Sequence, residues 1–253
     1  MGNTYESSKP VFWFITVGKI ESWTYERFHH EYNDIHAKMT AGVAEQVHDL
    51  QDYTQLMVEY DEKTDKPTRG ADDNEGWHGL TIHIWSSLQA LYTSFADPSY
   101  EASAKKHIFC RQDQKGCFAE LLAEFASPGY VSDGSTKVRS IIFHRKNPLR
   151  GDSQSDRAWL DERSKKAKQL IEGRSNLLRY RQYLDCTPQT INHFFKGTPF
   201  AGGSWQEFCA AEDMIFDDLE AASRFLNEYR DWIYDGKKPL IITGKGYKVF
   251  GTD

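Results

Sequence analysis

The sequence predicts an α+β fold in which two βαββαβ repeats pack sheet against sheet. Apolar runs with strand period and amphipathic runs with helical period follow each other in the same order twice. A turn-rich segment, residues 127–136, separates the two series. A βαββαβ unit covers only one face of its sheet with helices, and a second copy can bury the other face. Duplication therefore predicts the architecture before any residue is assigned a chemical role.

The first repeat spans residues 11–126, after a polar tail of residues 1–10. Its predicted elements are a strand at 11–17, a helix at 22–39, strands at 54–60 and 78–85, a helix at 87–95 and a strand at 117–125. Ser22 and Ser87 are the predicted N-caps of the two helices, because a serine hydroxyl can accept a hydrogen bond from the first turn. Asp97 followed by Pro98 predicts a short additional helix.

The second repeat spans residues 137–253. Its predicted elements are a strand at 138–144, a helix at 156–171, strands at 177–184 and 207–216, a helix at 219–232 and a strand at 240–250. Asp218 is a predicted N-cap at the place equivalent to Ser87, and Lys166 aligns with His36 of the first repeat. The segment 187–204 is unusually aromatic for a loop, so we expect it to fold over another part of the protein.

Composition limits the possible functions. The net charge of −6 disfavours a nucleic-acid partner, which would need a basic face. No apolar run approaches the ~18 residues that a membrane span requires, and the N-terminus does not resemble a signal peptide. The four cysteines show no CxxC spacing, so we expect reduced thiols in a cytoplasmic protein. Fusion of two repeats makes either a monomer or a homodimer plausible.

Three stretches of the first repeat carry a resemblance to a known family. They are the aromatic first strand FWFITVGK, the helix motif FHHEYNDIH with its Asn-x-x-His spacing, and the segment HGLTIHIWSSLQAL. Together they resemble the EthD-type branch of the dimeric α+β barrel superfamily, in a tandem version with both ferredoxin-like halves on one chain. The resemblance implies an intramolecular barrel and small-molecule chemistry, as in fungal members that act on polyketide-derived aromatics.

The first helix offers the main candidates for catalysis. His29, Tyr32 and His36 are spaced i, i+3 and i+7, so they are predicted to lie along one line that overlaps the apolar stripe through Phe28. Unperturbed imidazole has a pKa of about 6.5, which suits a general acid or base. A tyrosine beside it can hydrogen-bond a substrate oxygen. The alternative is that these histidines are merely hydrogen-bonded in the core.

The strand at 78–85 presents two different faces. Alternation places Thr81, His83 and Trp85 on one face, and a largely apolar set that includes His78 on the other. The first set suits the wall of a helix-covered pocket, so His83 is preferred over His78 as a second acid–base residue. The alternative is that the first set fills the barrel interior. Trp13 and Tyr60 complete the predicted substrate-binding residues, with Trp85, Thr81 and Phe28.

No metal or nucleotide cofactor is predicted. The histidines of the first helix show no standard ligand spacing, and GKGYKVFG lacks the glycine pattern of a phosphate loop. No GxSxG motif is present, so the sequence does not predict a serine hydrolase of the usual kind. Together with the resemblance, which implies chemistry on aromatic or polyketide-like small molecules, these absences lead us to expect a cofactor-independent lyase, cyclase or isomerase. Decarboxylation and dehydration rank first among the reactions, followed by ring closure.

Two alternatives remain. The superfamily that this chain resembles includes tandem haem enzymes, which need a proximal histidine. The second repeat offers His144 and His193, and neither of them lies in a predicted helix. A non-catalytic small-molecule-binding protein is the other alternative. His144 is expected at a solvated strand end, and His107 and His193 are expected on the surface.

Overall fold

Eight strands form one closed antiparallel barrel. The computed structural model describes residues 9–46, 49–61, 63–64, 66–67, 73–97, 109–131, 137–148, 153–173, 175–235 and 237–251. Each of the eight strands pairs with two neighbours, so the ring closes without an edge strand. The predicted α+β class and the intramolecular barrel are confirmed.

The first half of the chain contributes four barrel strands and the helices that cover them. Its elements are β1 (Val11–Val17), α1 (Tyr25–His29), a π-helix (His30–His36), α2 (Ala37–Gln46), β2 (Leu50–Met57), the short β3 (Tyr60–Asp61) and β4 (Lys66–Pro67), β5 (Gly79–Trp85), α3 (Leu88–Phe95) and β6 (Gly116–Ala126). The strand order β6-β1-β5-β2 makes one four-stranded sheet.

The second half repeats this arrangement. Its elements are β7 (Val138–Arg145), α4 (Ser153–Glu172), β8 (Arg179–Asp185), α5 (Ile191–Phe194), β9 (Phe208–Phe216), α6 (Leu219–Glu228), α7 (Arg230–Ile233) and β10 (Leu240–Phe250). The equivalent order β10-β7-β9-β8 makes the second sheet. The two sheets join at two seams, β2 with β10 and β6 with β8, so one chain forms both halves of the barrel.

Strand alternation separates the barrel interior from the faces that the helices cover. Leu80, Ile82 and Ile84 belong to the interior cluster, together with apolar side chains of both halves. Thr81, His83 and Trp85 point the other way, toward the helices of the first half. The preference for these three as a helix-side face agrees with the structure. The alternative, that they fill the barrel interior, is wrong.

Several local predictions differ from the structure. Thr24, not Ser22, caps the first helix, because its side chain accepts a hydrogen bond from the main chain of Arg27 at 3.2 Å. The helical region continues past residue 39 to Gln46, and β2 starts and ends earlier than predicted. Ser87 and Asp218 are N-caps as predicted. Pro98, where an additional helix was predicted, and His107 lie outside the described residues.

The aromatic segment 187–204 contains a short helix and packs on the first half of the chain. Its buried rings Phe195 and Phe200, with Trp205 directly after the segment, surround Trp13 of β1, with ring centroids 5.0–5.9 Å away. We call these three residues the aromatic cover. The expectation that this segment folds over another part of the protein is confirmed. None of the described helices is long and apolar enough to cross a membrane.

Candidate functional site

The layer between the first helical region and the sheet of the first half holds a buried hydrogen-bond network. His36, at the end of the π-helix, is 5% exposed, and its Nδ1 lies 2.9 Å from the hydroxyl of Tyr53 on β2. Gln55, two residues along the same strand face, donates from Nε2 to that hydroxyl at 2.6 Å. The network therefore joins a histidine, a phenol and an amide that all lie on the helix-covered face.

The phenol of Tyr53 is neutral in this environment. Burial raises the pKa of Tyr53 above its usual range, and side-chain hydrogen bonds with Gln55, Thr81 and Thr40 lower it by less than burial raises it. A neutral phenol beside an imidazole can donate or accept a proton in concert with it. Tyr53, Gln55 and Thr40 were not among the predicted site residues. The alternation Tyr53-Thr54-Gln55 on a strand was the signal that could have identified two of them.

The π-helix determines which residues of the first helical region face the sheet. A π-helical turn is wider than an α-helical turn, so residues four apart align more closely. The rings of Phe28, Tyr32 and His36 accordingly stack in a row, with centroids 5.6 and 6.0 Å apart. His29 lies off this row, half-buried, with its Nε2 3.1 Å from Asn33. The prediction that His29, Tyr32 and His36 share one line is therefore wrong for His29.

Tyr32 ties this helical row to β5. Its hydroxyl donates to the main-chain oxygen of Leu80 at 2.8 Å and is hydrogen-bonded to the hydroxyl of Thr81 at 2.8 Å. Burial raises the pKa of Tyr32 well above its usual value. Because its hydroxyl already has two partners, the geometry favours a role for Tyr32 in holding the helix on the sheet.

His83 lies in the same layer, among aromatic rings. Its ring centroid is 4.8 Å from Tyr53, 5.6 Å from Trp13 and 6.4 Å from Trp85, and each contact is edge-to-face. Tyr53 thus contacts both His36 and His83 and connects the two predicted acid–base residues. Trp13 and Trp85 provide apolar surfaces beside His83, as a site for an aromatic ligand requires.

Tyr60 lies apart from this network. Its ring stacks on His78 at 4.3 Å, and its hydroxyl donates to the main-chain oxygen of Trp77 at 3.1 Å. This group belongs to one end of the barrel interior. Phe28 contacts both regions, because its ring packs on Tyr32 and, at 5.6 Å, on His78. The structure therefore brings most of the predicted site residues together and leaves out His29 and Tyr60.

The second half has an equivalent layer with different chemistry. Tyr180 and Gln182 on β8 correspond to Tyr53 and Gln55, and the hydroxyl of Tyr180 donates to Glu212 at 2.7 Å. Arg163 of α4 donates to both oxygens of the Glu212 carboxylate at 2.7 Å, and His144 Nε2 lies 3.0 Å from one of them. These groups are all buried, so the ion pair of Arg163 with Glu212 lies between helix and sheet in the second half.

The expectation for His144 was wrong, because it is 4% exposed and belongs to this network. The alignment of Lys166 with His36 was wrong as well. Lys166 is exposed, and Ser164 is the α4 residue whose side chain reaches the equivalent glutamine, at 2.8 Å. The π-helix is found only in the first half among the described residues, so the two helices differ in phase and sequence alignment misplaces the partner.

The histidines of the second half do not fit a haem ligand. His144 is already hydrogen-bonded to Glu212, and its ring packs edge-on against Trp159 at 5.0 Å. His193 lies in α5, contrary to the expectation of a loop, and it is exposed. Among the described residues no group of three or more histidine, cysteine, aspartate or glutamate side chains could hold a metal ion. We therefore assign no step to a haem.

Comparisons with known proteins agree with this architecture. A chalcone isomerase of Aspergillus candidus, cfoK, is 28% identical over 234 residues, which cover 89% of this chain and 87% of that protein. A solved structure of an anthrone oxidase-like protein superposes with a TM-score of 0.64 at 8% identity and covers 98% of both chains. A chlorite dismutase variant of Candidatus Nitrospira defluvii superposes with a TM-score of 0.52 at 11% identity, over 96% and 93% of the chains.

At such low identities the two solved structures show a shared fold only. The EthD domain model matches residues 20–112, which contain the π-helix, β2 and β5. Those elements carry His36, Tyr53 and His83 of the buried network. Residues 20–112 of this chain therefore match the EthD domain model, and they lie in one half of an α+β barrel.

Proposed function

We propose that the protein is an acid–base enzyme that isomerises, by ring closure, an aromatic and polyketide-like small molecule. The observation that carries the proposal is the buried hydrogen bond of 2.9 Å between His36 and Tyr53. An imidazole paired with a neutral phenol can give or take a proton near neutral pH. The rings of Trp13 and Trp85, on the same side of the sheet, suit an aromatic substrate.

The similarity to a chalcone isomerase supports ring closure over the other reactions predicted for this fold. A chalcone is two aromatic rings joined by an α,β-unsaturated ketone. When one ring carries a hydroxyl beside the ketone, its oxygen can add to the β-carbon while the carbonyl becomes an enolate. The hydroxyl proton leaves, and a proton arrives at the α-carbon, so the product is an isomer of the substrate. Only proton transfers and positioning are required.

The residues of the network suit these steps. We assign His36, backed by Tyr53, to the carbonyl oxygen, where a hydrogen-bond donor stabilises the enolate as charge develops. We assign His83 to the proton that leaves the phenol or arrives at the α-carbon. Trp13, Trp85, Thr81 and Phe28 would hold the two rings, and Tyr32 would fix the helix that carries His36. Decarboxylation and dehydration could use the same pair but lack a comparable relative.

The test is to follow the absorbance of 2′-hydroxychalcone with purified wild-type protein and with the variants His36→Ala and His83→Ala. We expect each variant to reduce kcat/KM by about 10²- to 10⁴-fold, as is usual when a general acid or base is removed. His193→Ala is the control, because that histidine is exposed in the second half. If both site variants convert the substrate at the wild-type rate, the network is not catalytic.

A further inference from the structure

The same three-residue pattern occurs at equivalent places in the two halves. Tyr53-Thr54-Gln55 lies on β2 and Tyr180-Arg181-Gln182 lies on β8. In each half the glutamine Nε2 donates to the hydroxyl of the tyrosine two residues earlier, at 2.6 Å for Gln55 and 2.9 Å for Gln182. Each glutamine thus binds a tyrosine that faces the covering helix.

The orientation of each amide is fixed by a second contact. Gln55 Nε2 lies 2.8 Å from the main-chain oxygen of Tyr32, and Gln182 Nε2 lies 3.0 Å from that of Leu160. A carbonyl oxygen only accepts hydrogen bonds, so the amide atom that faces it must be the nitrogen. The same NH₂ group therefore also faces the tyrosine, and each tyrosine oxygen accepts a hydrogen bond from its glutamine.

The second half shows where the tyrosine proton must point. Because Gln182 donates to Tyr180, the hydroxyl of Tyr180 directs its own proton to the remaining partner, the Glu212 carboxylate at 2.7 Å. A carboxylate paired with Arg163 can only accept. The direction of this hydrogen bond is therefore unambiguous, and it serves as an internal reference for the first half.

The first half has the same glutamine donor and a different acceptor. Gln55 Nε2 donates to the Tyr53 oxygen at 2.6 Å, as Gln182 does to Tyr180. His36 Nδ1, at 2.9 Å, takes the place of the Glu212 carboxylate as the acceptor for the Tyr53 proton. A neutral imidazole has one protonated and one unprotonated nitrogen, so a ring that accepts at Nδ1 carries its proton on Nε2.

We propose that Gln55 is a positioning residue, which makes Tyr53 donate to His36 Nδ1 and so holds His36 as the tautomer protonated on Nε2. His36 then offers an N–H donor as its second polar group, rather than a lone pair. If the proposed function holds, this ring acts on the substrate as a hydrogen-bond donor and general acid, and the base is a different group. The consequence for catalysis rests on the proposed function, whereas the tautomer does not.

The tautomer can be measured directly by ¹⁵N NMR of protein labelled in its histidine rings, at about pH 8.5, two units above the unperturbed imidazole pKa of about 6.5. The His36 signals are assigned as those missing from His36→Gln. We expect an unprotonated Nδ1 and a protonated Nε2 in the wild-type protein. A protonated Nδ1 in the wild-type spectrum overturns the proposal, and this measurement needs no stable Gln55 variant.

Gln55→Met removes the amide at similar side-chain length, and Gln182→Met is the matched control with the same two contacts in the other half. We expect Gln55→Met to move the His36 ring signals toward a mixture of tautomers, and Gln182→Met to leave them unchanged. His36 signals that do not move in Gln55→Met contradict the role of Gln55.

A kinetic measurement separates this proposal from the proposed function. With 2′-hydroxychalcone, Gln55→Met should reduce kcat by roughly 10-fold, the equivalent of about one hydrogen bond, with little change in KM. If the wild-type tautomer is as expected but His36→Ala remains active, the proposed function fails and the tautomer assignment stands. If Nδ1 is the protonated nitrogen and His36→Ala is inactive, the tautomer assignment fails and the proposed function stands.

Discussion

At the scale of single residues, the two halves share a tyrosine and a glutamine and differ in what the tyrosine contacts. Tyr180 donates to the Glu212 carboxylate, which is paired with Arg163, whereas Tyr53 is hydrogen-bonded to His36 and Gln55. A buried ion pair is costly to break, because removal of one partner leaves the other charged in a low-dielectric environment. The second half therefore holds a buried ion pair at this position, and the first half holds the network to which we assign proton chemistry.

Replacement of Glu212 by glutamine should test the structural role of the second network. Burial raises the pKa of this carboxyl, but Arg163 and then His144 outweigh burial and hold the pKa well below its usual range. The carboxylate therefore stabilises the fold above the unfolded pKa of about 4.3, and this contribution is lost as the pH falls toward the folded pKa. We expect Glu212→Gln to lower the free energy of unfolding by about 3–5 kcal/mol at pH 7, measured by urea denaturation.

The same variant should also lose less stability than the wild type when the pH is lowered below about 4, since the titrating group is gone. Glu124→Gln is the control, because Glu124 is 37% exposed in its pairs with Arg179 and Arg181. A surface ion pair contributes about 1 kcal/mol or less. Equal losses in the two variants would show that burial of the Glu212 network does not matter.

At the scale of elements, the π-helix is the feature that builds the site. It aligns Phe28, Tyr32 and His36 in one row and directs His29 away from it. π-helical turns are rare and concentrate at functional sites, because the wider turn has a cost that must be offset elsewhere. Here the row of stacked rings and the bonds from Tyr32 to β5 supply contacts that favour the wider turn.

Deletion of Asp34 should convert this segment toward a regular α-helix. With one residue fewer, His36 would follow Tyr32 by three α-helical positions of about 100° each, so it would lie about 60° away from the row and lose its hydrogen bond to Tyr53. We expect kcat/KM to fall as far as in His36→Ala, while the helix content measured by circular dichroism stays near that of the wild type.

The control is Asp34→Ala, which removes the same exposed side chain without a change of phase. The carboxylate of Asp34 pairs with His30, 2.8 Å away on the surface. Such a pair contributes little, so the substituted protein should retain activity. An active deletion variant would mean that the phase of the helix is unimportant for the site.

At the scale of the whole molecule, the two halves depend on each other through the seams of the barrel. The second half also covers part of the candidate site of the first half, because the aromatic cover packs on Trp13. At one seam, Gly244 of β10 lies against the main chain of Met57, the last residue of β2, and of Val58 after it. A side chain there would overlap main-chain atoms, which cannot move aside as a flexible side chain can.

Gly244→Ala should therefore weaken the joint between the halves. We expect a loss of about 3 kcal/mol or more, as for other cases of overpacking, and a melting temperature lower by roughly 6–12 °C in calorimetry. Gly42→Ala in α2 is the control, since a Cβ there meets nothing within 4 Å. That substitution should raise stability by about 0.5–1 kcal/mol through helix propensity. Equal behaviour of the two variants would contradict the role assigned to the seam.

The sequence by itself determined the order of the elements and their duplication, and it favoured, without deciding, the face of β5 that meets the helices. Hydrophobic period and capping are local properties, so β1 and β10 could be placed at their observed ends. The resemblance in residues around His36 also identified the half that the EthD domain model matches.

Only the tertiary structure decided which side chains meet. Helix phase and the strand register between distant segments decide three contacts. They are the hydrogen bond between His36 and Tyr53, the burial of His144, and the position of Ser164, rather than Lys166, opposite Gln182. A change of one residue in helix phase rotates a side chain by about 100°, while the local pattern of apolar residues barely changes. For that physical reason the sequence identified the helix and strands of the site, and the packing of the barrel selected its partners.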